Sequence, residues 1–291
     1  MTTVRVRLPD GTAHVGRVVD LRDVERSGDA ATVRRSIRSG FPLEPDVPRV
    51  YCPAPTRCHR FADLLSREMS FDRYGALATL ARTRGHTASE ERTLAHVRDE
   101  LAETAAPAPE DLTTARRRAA EAGAETERLR ERAATIRGRL EATRDAGADA
   151  EAVERELEET MRRLSEVATE RVAARQRLDV QETQARAARD SRERRMRLED
   201  RIANLRRTIR RSLAETVYEE FGGAVTALPD AFDADAGDEP GGYDGEPVAA
   251  ALAFARVAPL RAPVVVEATV AERFENAATL ARYLRGPLVV C

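Results

Sequence analysis

Residues 140–164, LEATRDAGADAEAVERELEETMRRL, decide how the chain is read. Two helix-forming runs rich in Ala, Glu, Arg and Leu meet at Asp145-Ala146-Gly147-Ala148-Asp149. Gly is the favoured residue for ending a helix in a left-handed turn, and Asp is a favoured cap for the helix that follows. The stretch predicts a reversal: one helix stops, a second starts, and the two lie antiparallel. The alternative is one continuous helix in a parallel dimer. The central Gly and the Ala-rich seam speak against it, because Gly costs a helix interior about 1 kcal/mol.

Working outward, no proline occurs from Glu110 to Leu228. Apolar positions on the first arm follow 3–4 spacing at Leu129, Ala133, Ile136 and Leu140. The second arm continues it at Val153, Leu157, Thr160, Leu164, Val167, Ala174, Leu178, Ala185 and Ala188, with Arg171 and Gln181 interrupting the row. A third run, Leu198, Ile202, Leu205 and Ile209, is out of register with the second, and the slip near Arg195 reads as a stutter or stammer. Stripes this narrow on charged helices indicate coiled-coil packing, with Ile136 and Leu140 facing Val153 and Leu157. Residues 112–144 carry nine Arg and five Glu; residues 150–182 carry six Arg and nine acidic groups. Arms of opposite sign attract, at about 0.2–1 kcal/mol per exposed pair. The arms are unequal, about 50 Å for 110–144 and about 100 Å for 150–217. The excess, 183–217, needs another partner, and a helix expected over 88–104, with Leu94, Val97 and Leu101, supplies it.

The chain has 291 residues, of which 34% are charged and only 4% aromatic. No Phe or Tyr lies between Tyr74 and Tyr218, so the large core-forming side chains sit at the two ends. All 48 basic residues are Arg. Without Lys there is no P-loop, pyridoxal-phosphate site or Schiff-base nucleophile. The N-terminus does not read as a signal peptide, and no run of 18 apolar residues exists, so a cytoplasmic protein without a membrane span is expected. Three widely spaced cysteines make no disulfide framework.

At the N-terminal end, residues 3–8 and 14–21 read as a β-hairpin around Pro9-Asp10-Gly11. A helix over 30–39 stops at Gly40, a strand covers 48–52, and helices cover 58–68, 71–84 and 88–104 before Pro107 and Pro109. Residues 229–247 hold seven acidic groups and no base among Gly and Pro, and read as a mobile loop. Beyond it, Leu260–Val266 (LRAPVVV) is echoed by Leu284–Val290 (LRGPLVV), two buried strands joined by one helix as a parallel βαβ unit. Strands 3–8, 14–21 and 264–268 are expected in one sheet. The fold class is α+β, mostly α: a long antiparallel coiled-coil helical hairpin inserted in a small split α/β head. Its parts are 1–87, the first half of the head; 88–221, the helical hairpin with its tip at 145–149; 222–247, an acidic flexible loop; and 248–291, the βαβ half of the head.

Chemistry is sparse. Cys52, Cys58 and His59 form one cluster, but its C-x₅-C spacing lacks a second ligand pair, and Cys52 ending a strand with His59 opening a helix is the preferred reading. No Ser-His-Asp set and no G-x-G-x-x-G after a strand occurs. No catalytic residue, cofactor or metal is assigned. The densest charge lies in residues 183–211, with eleven Arg and four acidic groups. Arg189, Arg192, Arg195, Arg206, Arg207, Arg210 and Arg211 are candidate polyanion-binding residues. No aromatic accompanies them, which argues against base stacking. Loop 230–246 is expected to lie near this helix and partly neutralise it.

The segments VRVRL…VGRVVDLRD, CPAP…H, ARTRG, RRMRLEDRIANLRR, VAAALAFARVAPLRAPVVV and RFENAATLARYLRGPLVV resemble an uncharacterised family of haloarchaeal proteins over essentially the full length. The resemblance implies a salt-rich cytoplasm and supplies no catalytic residues. The plan also resembles, in geometry alone, the structural-maintenance and double-strand-break-repair ATPases, whose heads are split by a hairpin; P-loop Lys, LSGGQ-type signature and C-x-x-C hook are all missing here. The expected function is a non-enzymatic structural or protein-interaction protein, its partner an unidentified protein or a second copy of the chain. A nucleic-acid-associated protein using Arg-rich helix 186–211 is the less favoured alternative.

Overall fold

The computed structural model describes residues 3–25, 28–40, 47–104 and 112–291. In chain order the elements are β1 (Val4–Arg7), β2 (Ala13–Gly16), β3 (Val18–Asp20), α1 (Ala30–Ser39), β4 (Arg49–Tyr51), α2 (His59–Ala62), β5 (Leu64–Leu65), α3 (Arg73–Thr83), α4 (Glu91–Glu103), α5 (Leu112–Asp145), α6 (Glu151–Glu215), α7 (Tyr218–Thr226), α8 (Pro247–Val257), β6 (Val264–Val266), α9 (Ala268–Ala271), α10 (Ala277–Leu284) and β7 (Leu288–Val290). The fold is mostly helical with a small sheet component. It divides into two compact units, Met1–Ala95 with Ala203–Cys291, and His96–Ile202. The prolines at 107 and 109 lie outside the described residues.

In the first unit the sheet content is split. β2-β1-β4 form an antiparallel sheet, and β3-β7-β6-β5 form a wholly parallel one. The run expected as one strand over 14–21 therefore serves both sheets, and strand 3–8 does not share a sheet with 264–266. The break falls at Gly16, where an added Cβ would meet the Val18 carbonyl oxygen at 2.9 Å. The next carbonyl, of Arg17, already accepts from Leu288 N–H at 2.9 Å. The helix expected over 58–68 is also shorter. It stops after Ala62, because Leu64 and Leu65 pair with Val265 and Val266 as the edge of the parallel sheet. Between β6 and β7 stand two helices, α9 and α10, rather than one.

β6 and β7 are buried at every residue, as strands covered on both faces must be. On one face Val19, Val265 and Val289 join Val4, Val6, Leu8 and Val50 and the α1 residues Val33 and Ile37 in one core. α8 packs against the other side of the unit's core. Its residues Val248–Ala255 are all buried, as expected of a helix apolar all round. Phe61 and Phe71 each place their rings 5.9 Å from that of Phe254 on α8.

The acidic segment is pinned where a mobile loop is expected. Asp230–Phe232 form a 3₁₀ turn with Phe232 buried, and Asp235 bridges Asp244. Tyr218 Oη donates to the Ala236 carbonyl, and Arg273 pairs with Glu246 at 2.6 Å. The apolar side chains hidden among the carboxylates, Phe232 and Tyr243, do the anchoring.

In the second unit, α5 ends at Gly147 (φ 67°) with the Ala148 N–H donating to the Thr143 carbonyl at 3.2 Å and Gly147 N–H to Arg144 at 3.0 Å. This is a Schellman turn. Asp149 Oδ1 then accepts Glu151 N–H at 3.0 Å and starts α6. Ion pairs link the two helices at Arg116–Glu182 (3.2 Å), Glu127–Arg171 (3.4 Å) and Arg144–Glu154 (2.7 Å). Across these three pairs the number on α5 rises by as much as the number on α6 falls, so the helices run antiparallel in one register, while Arg132 and Arg139 both reach Glu156. That register sets Leu140 level with Leu157, and Ile136 level with the next turn, at Thr160 and Leu164. Thr126, Ala133, Ile136 and Leu140 on α5 and Thr160 and Val167 on α6 are buried. The threonine hydroxyls satisfy themselves on the carbonyls of Ala122 and Glu156.

Two glycines test this arrangement in opposite directions. Gly147 is left-handed and Gly138 lies within α5, and neither would bring an added Cβ within 4 Å of another atom. Gly147→Ala is expected to destabilise by about 1–2 kcal/mol, and Gly138→Ala to stabilise by about 0.5–1 kcal/mol. Thermal melts followed by circular dichroism check both signs.

Candidate functional site

All seven candidate arginines lie on α6, with Arg189, Arg192 and Arg195 in the second unit and Arg206, Arg207, Arg210 and Arg211 in the first. Their surroundings separate them. Arg195 is half-buried and caps α4: its guanidinium donates to the carbonyls of Thr104 at 2.9 Å and Leu101 at 3.4 Å. Those carbonyls end a helix, where a cation is favoured. Beside it Arg194 pairs with Glu100 at 2.7 Å. Arg195 is thus a packing residue, and its role explains the slip in the apolar row. The half-buried positions Ala185, Ala188 and Ser191 follow at two successive spacings of three, then Arg195 and Leu198 restore the row. α6 changes phase as α4 takes the place of α5.

The other six are exposed. Arg207 donates to Asn204 Oδ1. Among the described residues no carboxylate stands within ion-pair distance of Arg189, Arg192, Arg206, Arg210 or Arg211. Arg206 with Arg210, and Arg207 with Arg211, are like charges four residues apart, each pair costing the helix roughly 0.2–0.5 kcal/mol. The acidic segment does not relieve them. Glu246 is engaged by Arg273 instead, and none of the segment's carboxylates pairs with Arg206, Arg207, Arg210 or Arg211.

A family model described as a family of unknown function, DUF7856, matches residues 16–288. The chain belongs to this family. No curated protein and no solved structure matched the chain. The DUF7856 span begins beside β3 and ends in β7, so it encloses both sides of the parallel sheet and the whole helical excursion between them. Among the described residues no helix is long and apolar enough to cross a membrane.

Within the DUF7856 span, the Cys-His cluster has a structural place. His59 Nδ1 accepts the Thr56 N–H at 2.9 Å, which leaves Nε2–H to donate to the Ala262 carbonyl at 2.8 Å. Both ring nitrogens are used, tying α2 to the approach to β6. Burial holds the His59 pKa below the usual imidazole range, against the opposing Ala262 hydrogen bond and Asp63 charge. Burial also raises the thiols of Cys52 and Cys58, and pushes Cys291 up to about 12. Among the described residues no cluster of His, Cys, Asp and Glu is arranged to hold a metal. Position alone hid the latch from sequence reading, since Ala262 lies 203 residues away.

The latch has a pH signature. An unfolded His59 takes up a proton as pH falls through about 6.5, while the folded residue resists it until lower pH. The unfolded state then binds more protons, and stability falls with pH. The melting temperature is expected to drop between about pH 7.5 and 5.5, with a smaller drop in His59→Gln.

Proposed function

We propose that this chain is a non-enzymatic structural or protein-interaction protein that acts through an antiparallel coiled-coil hairpin formed by α5 and α6. The observation that carries the reading is what α6 leaves uncovered. Its seam positions pack inward, yet Val172 and Val180 remain 57% and 56% exposed on the same helix. Beside Val180, the residues Ala173, Gln176, Arg177, Gln181 and Gln184 line a shallow groove. Apolar and amide side chains around a single guanidinium suit another amphipathic helix laid alongside. The partner is a helical protein, a second copy of the chain included.

A second reading, of an α6 that associates with nucleic acid, rests on Arg206, Arg207, Arg210 and Arg211. Their unrelieved like charge is the kind that phosphates relieve, with a strong salt dependence.

The two readings separate by variant. Val172→Asp with Val180→Asp is expected to abolish partner capture from native cells, or self-association in ultracentrifugation, while helicity is retained. Gln at Arg206, Arg207, Arg210 and Arg211 is expected to leave that association intact. If only the Gln variant loses a ligand, and that ligand is duplex DNA with a steep salt slope, the second reading replaces the first.

A further inference from the structure

Two walls of the first unit enclose a cleft of about 760 Å³. The approach to α2 supplies Thr56, Arg57 and Arg60; α3 supplies Thr79, Arg82 and Thr83. The α3 residues are spaced i, i+3 and i+4 and therefore share one helix face. Both walls are braced from behind. α2 is held by the His59 latch, and α3 by the Asp72 carboxylate, which accepts the Gly75 N–H at 2.9 Å.

The charge of the lining is one-sided: three guanidiniums and no carboxylate. Arg82 shares Glu91 across 3.3 Å at the rim. Arg60 stacks over the Phe61 ring at 4.4 Å, which orients the guanidinium and leaves its N–H edge available. Arg57 has no ion-pair partner among the described residues. The threonines offer little competition as donors. Thr79 gives its hydroxyl hydrogen to the Gly75 carbonyl, and Thr83 gives its own to Thr79, each at 2.8 Å. The free hydrogen-bonding capacity of the cleft is cationic N–H, which selects an anion. No aromatic ring lines it, so a base has nothing to stack on.

We propose that this cleft is a binding site for a small oligophosphate-type anion, gripped by Arg57 and Arg60 from one wall and Arg82 from the other. Planar guanidinium forks match phosphate oxygens two at a time. The cleft volume falls in the range of small-ligand pockets and far exceeds the needs of a single phosphate. The site is independent of the hairpin, and neither reading depends on the other.

Calorimetric titration of the full chain with inorganic tripolyphosphate at low salt tests it. Saturable binding of one ligand per chain is expected. Arg57→Gln with Arg60→Gln should weaken it by about ten-fold or more with an unchanged melting curve. Arg128→Gln with Arg155→Gln, at exposed arginines of α5 and α6, should leave it unchanged. In the unaltered chain, tripolyphosphate should protect Arg57 and Arg60 from phenylglyoxal, read by mass spectrometry, which needs no variant to fold. Absence of saturable binding, equal losses in both variants, or no protection overturns the site. Citrate binding as tightly as tripolyphosphate overturns the assignment to phosphate. Duplex DNA displacing tripolyphosphate from an Arg57- and Arg60-dependent site overturns the assignment to a small molecule.

Discussion

The structure depends on one pairing constraint: β7, the last strand of the chain, lies between β3 and β6, with Val18 opposite Leu288 and Val264 opposite that same Leu288. A four-stranded parallel sheet with its two central strands buried at every residue cannot form until β3 and β5 meet β6 and β7. Everything from Ala95 to Ala203 must therefore leave and come back. A single unbroken helix cannot do this. The Schellman turn at Gly147 meets the requirement with a handful of residues, and the unequal arms follow from it, since α6 carries the return past the end of α5 and alongside α4.

Along that return the forces are individually small. The ion pairs between α5 and α6 are exposed, and each contributes about 0–1 kcal/mol. Their value lies in direction: opposite signs on opposite arms fix the register, while the narrow apolar seam supplies most of the burial. The first unit works in the opposite way. There α8, buried from Val248 to Ala255, and the two valine-rich strands leave no polar side chain to satisfy. Arg and Glu dominate one part of the chain, Ala and Val the other, and each composition suits its own way of packing.

What was legible in the sequence was local. Gly147 between two aspartates, the 3–4 apolar rows and the repeated valine strands each announce themselves within a few residues. What was not legible depended on distant partners. β5 is two residues long and is a strand only because Val265 and Val266 lie beside it. Gly16 divides a run, residues 14–21, that reads as one strand. Arg195 looks like one more exposed arginine until the carbonyls of α4 arrive. The acidic segment hides two aromatic anchors among seven carboxylates. The Arg57–Arg60–Arg82 cleft combines two stretches that nothing in their spacing connects.

The central claim is that α5 and α6 pair within one chain, and distance measurement between spin labels at Arg116→Cys and Glu182→Cys tests it most directly. Cys58 is buried, and Cys52 and Cys291, which are half-buried, are replaced by Ala so that only the introduced pair is labelled. Neighbouring helix axes lie about 10 Å apart, so a label separation below about 25 Å is predicted. Dilution with unlabelled chain should leave that distance unchanged. A continuous helix would separate the two positions, 66 residues apart, by about 100 Å; a signal at that distance, or a short distance that dilution removes, would contradict the claim.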